Sequence, residues 1–255
     1  MVTVKDIYYE IDKIAPFSLQ EGYDNSGIIV GSGEKAVIKI LFALDITKSV
    51  AREAAEKGCD LVISHHPVIF TGLKKLKPDN PAVILAKNDI SAICMHTNFD
   101  VAKDGMNDIL CERLGLEPVE PLAEENGSSI GYVCECEGEL MPNALAKRIK
   151  QRLGNSVVRY VDTDKPIKSI AVCSGSGGSF LPFVISKNID AYITGDIKHD
   201  VFIEAYNNDI CLVDAGHFYT ENIFFDFIKN KLTEKYPTLD ISTAQSNKDV
   251  TSYEI

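Results

Sequence analysis

Two periods of apolar residues succeed one another along the chain. Val4, Ile7, Tyr8, Ile11 and Ile14 recur at helical spacing before Pro16, behind Thr3-Val-Lys-Asp6, the sequence form of a capping box. Gly27–Gly31 and Ile38–Asp45 then read as strands, Thr47 to Gly58 as a helix, and Asp60–Ser64 as strand again. Pro81–Asn88 is helical, Ile90–Met95 is strand, and Gly105–Leu114 is a helix stopped by Gly115. After Pro118–Ser129, rich in Pro, Glu, Asn and Gly, a strand over Ile130–Glu135 and a helix over Pro142–Leu153 restart the pattern. Strands follow at Val157–Val161, Ser169–Cys173, Ala191–Thr194 and Ile210–Asp214, with a long final helix from about Thr220 to Tyr236. Alternation of this kind predicts an α/β architecture with largely parallel sheets.

A repeat lies inside the pattern. Asp60-Leu-Val-Ile63-Ser64 matches Asp190-Ala-Tyr-Ile193-Thr194, and Asn88-Asp89-Ile90 matches Asn208-Asp209-Ile210. The expectation is two similar α/β subdomains from a duplication, residues 1–126 and 127–255, with the last helix packing back on the first. Both would project functional side chains from the carboxyl ends of equivalent strands, where open α/β sheets carry their sites.

Composition narrows the function. Of 255 residues 45% are hydrophobic and 25% charged, and 26 Lys+Arg against 37 Asp+Glu leave a net charge of −11. Broad nucleic-acid binding and docking to anionic membranes need a basic face and are disfavoured. An anionic small molecule stays open, because a bound metal reverses the local field. No apolar run approaches the roughly 18 residues of a membrane span. The first residues carry acids within their apolar pattern, unlike a signal peptide, and the expected compartment is the cytoplasm. Seven cysteines, an odd number mostly within apolar runs, predict buried reduced thiols. Cys134-Glu-Cys136 lacks the two-residue gap of a zinc knuckle and reads as strand.

Of the five histidines, His65, His66, His96, His199 and His217, four follow directly on a strand or sit in its last residues. Ser64-His65-His66-Pro67 closes one apolar strand, and Met95-His96-Thr-Asn-Phe-Asp100 closes another. Asp214-Ala-Gly216-His217 closes a third and leads to Glu221, four residues on. Each alone has a bland reading: a core histidine pair, a turn aspartate, or a carboxylate favoured by a helix dipole. Together, several imidazoles with two carboxylates favour Zn, Mn, Fe or Ni over Mg or Ca. Five ligands exceed what one catalytic ion with an open position accepts, and suit two divalent ions about 3.5–4 Å apart.

Asp24-Asn25-Ser-Gly27-Ile-Ile-Val-Gly31, Ala43-Leu-Asp45-Ile-Thr47, Ile63-Ser-His65-His66-Pro67, His96-Thr-Asn-Phe-Asp100, Ile193-Thr-Gly195-Asp196 and Gly216-His217…Glu221 stand in the chain in that order. In these motifs the sequence resembles the GTP cyclohydrolase I type 2 homologue family, also named Ngg-interacting-factor-three-like. The resemblance implies an α/β fold of two similar subdomains with a dinuclear metal site between them. It implies His65, His66, Asp100, His217 and Glu221 as ligands, with Glu221 bridging, His66 and Asp100 on one ion, and His65 and His217 on the other. It also implies a toroidal homohexamer. Activity on GTP has been attributed to some members of that family.

Three functions are therefore weighed: a dinuclear hydrolase of a nucleotide-like substrate, a metal-dependent phosphoesterase, and a non-enzymatic metal-binding scaffold. For the hydrolases, His96 is the candidate proton shuttle. Ser174-Gly-Ser-Gly-Gly-Ser179 is either an anion cradle at a helix start or a tight turn. Asp196, His199 and Asp200 are either proton-transfer and orienting groups or helix caps.

Overall fold

The computed structural model describes residues 1–125, 128–155 and 157–254. The chain opens with α1 (Val4–Ile14), β1 (Gly27–Val30), β2 (Lys39–Ala43), α2 (Lys48–Glu56), β3 (Leu61–Ser64), α3 (Pro81–Lys87), β4 (Ser91–Cys94) and α4 (Thr97–Asp100). Next come α5 (Met106–Leu114), β5 (Glu117–Glu125), β6 (Ser128–Leu140), α6 (Pro142–Leu153), β7 (Arg159–Tyr160) and β8 (Ile167–Val172). Then follow α7 (Leu181–Ser186), β9 (Ala191–Thr194), α8 (His199–Asn207), β10 (Cys211–Asp214), α9 (His217–Glu221), α10 (Phe225–Lys235) and β11 (Asp240–Thr243). The class is the expected mixed α/β. No described helix is long and apolar enough to cross a membrane.

Two compact units emerge, one of Met1–Ala102 with Phe224–Lys248, the other of Lys103–Ile223 with Asp249–Ile255. The expected boundary between Asn126 and Gly127 falls outside the described residues. Its flank Pro118–Glu125 is no linker but part of β5, paired antiparallel to β6 from Glu117 opposite Glu135 to Glu125 opposite Ser128. Pro118 and Pro121 are tolerated because β5 is an edge strand, where a missing N–H need not pair. Leu122 and Ala123 are buried, which ties the strand to its unit's core. The expected long final helix is likewise two helices, α9 and α10, separated at Asn222–Phe224, and the units divide inside that break.

In the first unit the sheet order is β1-β4-β3-β2-β11, with β11, β2, β3 and β4 mutually parallel and β1 antiparallel to β4. In the second it is β5-β6-β8-β9-β10-β7, and β8, β9 and β10 form its parallel centre. Each has a buried strand pair, β3 with β4 and β9 with β10, in which all four residues of each strand are buried. Continuous burial explains why these segments read as apolar runs without alternation.

The repeat has structural counterparts. Asp60 Oδ2 accepts from the amides of Ile38 and Lys39 at 2.8 and 2.9 Å, which fixes the start of β3 beside β2. Asp190 Oδ2 does the same for Lys168 and Ser169, at 2.9 and 3.0 Å. Before the next strand of each unit, Asp89 and Asp209 adopt left-handed backbone (φ 54° and 59°).

The helix signals behave as read. Thr3 N donates to Asp6 Oδ2 at 2.8 Å and Thr3 Oγ1 accepts from Asp6 N at 3.2 Å, completing the capping box. Gly115 and Gly154 end α5 and α6 in left-handed conformation. All seven cysteines are free thiols, and Cys111 and Cys134 meet at 3.8 Å in the core of the second unit.

Candidate metal centre

The first unit supplies four of the expected site residues from two neighbouring strand ends. His65 and His66 follow β3. Their turn is set by hydrogen bonds from His66 N to Leu44 O (3.0 Å) and from Ser64 Oγ to His66 O (2.8 Å). After β4, His96 immediately precedes α4, one turn long, and Asp100 is its last residue. The imidazoles cluster, with ring centroids 5.0 Å apart for His65–His66, 5.2 Å for His65–His96 and 5.5 Å for His66–His96.

The partner of each Nδ1 is the informative feature. His65 is fully buried and its Nδ1 lies 2.7 Å from Met95 O. A carbonyl only accepts, so Nδ1 carries the proton and Nε2 presents a lone pair. His66 Nδ1 lies 2.8 Å from Asp45 Oδ1, and His96 Nδ1 lies 2.8 Å from Asp24 Oδ1. Both carboxylates leave Nε2 as the outward atom in the same way. One ligand atom from each of His65, His66 and His96 falls within 4.8 Å of the others, a set that could hold a metal ion. Asp100 Oδ1 stands 3.4 Å from His65 Nε2. That is the spacing of two ligand atoms at a near-tetrahedral angle about an ion some 2.1 Å from each. The residues therefore fit a divalent metal, and this spacing puts Asp100 with His65 on one ion, where the resemblance implied Asp100 with His66.

Asp24 is held hard. Its buried carboxylate also accepts from Thr97 Oγ1 (2.5 Å), Ser26 Oγ (2.9 Å) and Asn25 N (2.7 Å). Burial by itself would raise its pKa, but the bonds from His96 and Thr97 outweigh it and keep the group well below the usual carboxylate range. Asp24 therefore stays charged and fixes the His96 ring.

In the second unit His217 begins α9, just after Gly216 in left-handed backbone (φ 78°). Its Nδ1 meets Asp196 Oδ2 at 2.7 Å and its Nε2 meets Glu221 Oε2 at 2.8 Å. Helical spacing of four residues puts imidazole and carboxylate on one face, as the sequence suggested. Glu221 is 4% exposed. A methyl group on Gly175 (φ 62°) would overlap its carboxylate, and one on Gly195 would strike the His217 backbone.

The glycine-rich segment is accordingly a tight turn packed beneath Glu221. Three of its amides are already used: Ser174 N donates to Asn107 Oδ1 at 2.8 Å, Gly175 N to Thr220 Oγ1 at 3.0 Å and Gly177 N to Thr194 Oγ1 at 2.9 Å. Asp196 orients His217, whereas His199 and Asp200 sit exposed in the first turn of α8. Asp24 and Asp45 stood in the quoted motifs without an assigned role. A carboxylate about twenty residues before its histidine, each at a strand end, was the signal available for Asp45.

The chain is similar to several known proteins. A protein of Clostridium acetobutylicum named GTP cyclohydrolase 1 type 2 homolog is 38% identical over 228 residues, 86% of this chain and 85% of that one. One of Helicobacter pylori named GTP cyclohydrolase 1 type 2 is 36% identical over 233 residues, 88% of this chain and 89% of that one. A hypothetical protein of Staphylococcus aureus, SA1388, superposes with a TM-score of 0.91 at 26% identity, covering 99% of both chains. The profile of the Duf34/NIF3 (NGG1p interacting factor 3) family matches residues 2–250, and the chain belongs to that family.

Proposed function

We propose that the protein is a dinuclear metal-dependent hydrolase of a nucleotide-like substrate, in which His65, His66, Asp100, His217 and Glu221 hold two divalent ions. The observation that carries the reading is the orientation of the imidazoles. Each of His65, His66 and His217 has its Nδ1 engaged by a backbone carbonyl or a carboxylate. Metal-ligating histidines are held in this way, because the partner fixes the tautomer and raises the basicity of the other nitrogen. Glu221, buried and braced by Gly175, has two oxygens to share and is the bridging candidate.

Bound divalent ions would supply Lewis-acid charge and a nucleophile derived from water at neutral pH. The chain's own groups do the rest. His96, its Nδ1 bonded to the charged Asp24, has Nε2 left to take a proton from the attacking water and return it to the leaving group. Ring-opening of GTP is the specific version of the reaction, in line with the name GTP cyclohydrolase 1 type 2 of the Helicobacter pylori relative. A homohexamer in the cytoplasm completes the proposal.

The test is elemental analysis of the purified protein together with turnover of a nucleotide panel that includes GTP. Two equivalents of Zn, Mn, Fe or Ni per chain and hydrolysis abolished by chelation are expected. Phosphate release instead of ring opening would make it a phosphoesterase. Stoichiometric metal without turnover of any nucleotide would leave a metal-binding scaffold, and a metal-free, inactive protein would sink the reading. Light scattering at the mass of a single chain would sink the hexamer.

A further inference from the structure

The segment from Pro67 to Asn80, joining β3 to α3, runs straight out of the His65–His66 pair and differs in charge from the rest of the molecule. In a chain of net charge −11 it carries Lys74, Lys75 and Lys77, and Asp79 is its only acid. Asp79 is spent on Lys48, and none of the three lysines makes an ion pair among the described residues.

The segment is nevertheless fastened at both ends. Asn25 Nδ2 donates to Ile69 O at 2.6 Å, Val68 and Ile69 pack on the unit's apolar core, and the Asp79–Lys48 pair holds the far end. Between these anchors it exposes apolar surface beside the three lysines. Phe70 is 47% exposed and Leu76 73%, while Tyr23, from the turn that carries Asp24, is 67% exposed. Phe70 stands edge-on to His96 at 6.0 Å and lies 6.4 Å from Tyr23. Phe70 thus borders the imidazole proposed as proton shuttle, Tyr23 stands beside Phe70, and three lysines follow within seven residues.

We propose that this segment is the substrate-gripping element of the site, with Phe70 and Tyr23 packing against a planar unsaturated ring and Lys74, Lys75 and Lys77 meeting its phosphate or carboxylate groups. The ligand class is a small anion that carries both a ring and a multiply charged group. The inference rests on the metal-site reading for the position of the reacting atoms, but its binding test does not need turnover. A protein of such negative charge repels an anion at long range, and local lysines with the ions would reverse the field where it matters.

Three probes separate the parts: GTP, guanosine without phosphates, and tripolyphosphate without a ring. Binding of each to the full-length protein is measured by equilibrium dialysis for wild type, Phe70→Ala and Lys74→Gln/Lys75→Gln/Lys77→Gln. Phe70→Ala is expected to weaken GTP and guanosine by roughly 5- to 100-fold, the worth of one base–aromatic contact, and to leave tripolyphosphate unchanged. The triple lysine variant is expected to weaken GTP and tripolyphosphate about tenfold or more, to spare guanosine, and to flatten the salt dependence of GTP binding. Both variants should keep the wild-type metal content and oligomeric mass. Metal content unchanged with all three affinities unchanged would overturn the inference. So would a changed oligomeric mass in either variant, which would make the segment a contact between copies. Loss of metal from wild type alone would count against the metal reading and leave the ring-versus-phosphate contrast to decide this one.

Discussion

The two units share a parallel βαβ frame but hang the same chemical pair on different strands of it. In the first, the orienting carboxylate Asp45 follows β2 and the imidazole His66 follows β3. In the second, the carboxylate Asp196 follows β9, the counterpart of β3, and the imidazole His217 follows β10. The carboxylate and imidazole are 21 residues apart in both, yet Asp196 occupies the repeat position of His66. A duplicated frame preserves a kind of place, the crevice at the strand ends, rather than particular residues. Selection can then move an Asp–His pair one strand sideways without disturbing the sheet.

The sharpest way to break the comparison is to remove the carboxylate that the first unit's version of the pair does not have. Glu221→Ala is expected to strip or loosen both ions and to abolish hydrolysis, whereas His217→Ala should cost one ion. Elemental analysis of the two variants decides it, and equal metal loss would end the bridging assignment. Next in size, His96→Ala should leave metal occupancy intact while lowering turnover by roughly 10²–10⁴-fold. If that variant loses metal as readily as Glu221→Ala, His96 is a ligand.

Asp45→Asn and Asp196→Asn compare the two pairs directly. Asn keeps the left-handed backbone that Asp196 adopts (φ 51°) and removes only the charge. Each is expected to lower metal affinity by about 10–100-fold, measured by competition with a chelating dye. A large loss for one and none for the other would show that the pairs are not equivalent.

The smallest effect is confined to the first unit. Glu53 on α2 accepts from the Gln245 and Ser246 amides and the Ser246 hydroxyl, and it pairs with Lys57 at 2.6 Å. Burial opposes its ionisation, but these bonds hold its pKa down at about 2, against 4.5 without them. The folded chain keeps this charge below the pH at which the unfolded chain binds a proton. Its contribution is therefore complete above about pH 4.5 and lost as pH falls towards 2. Glu53→Gln should cost about 2 kcal/mol by denaturant melts at pH 7 and progressively less in acid. An unchanged difference at pH 3 would refute the linkage.

Strand positions and the cluster of His65, His66 and His96 were legible because a buried strand leaves an apolar run and each of these histidines closes one. What the sequence hid depends on partners far along the chain. Pro118 and Pro121 look like a linker until β6 covers one side of their strand. The break at Asn222–Phe224 is invisible in a run whose apolar spacing suits one helix, and Ser174–Ser179 stays open between anion cradle and tight turn until Thr194 and Thr220 take two of its amides. Asp24 gave no signal of its own, since an Asp-Asn-Ser-Gly sequence is an ordinary turn.

The return of the chain to the first unit has a consequence for biosynthesis. Phe224 lies 5.9 Å from the His65 ring and 6.2 Å from Phe42, and β11 pairs with β2 residue by residue from Asp240 to Thr243. A ribosome delivers His65, His66 and His96 long before it delivers Phe224. Until then the nascent first unit lacks the wall behind His65 and one edge of its sheet. The second unit's sheet, by contrast, comes from one continuous stretch and can close first. Vectorial synthesis thus leaves the histidine-rich half to mature last, when the C-terminal segment leaves the exit tunnel.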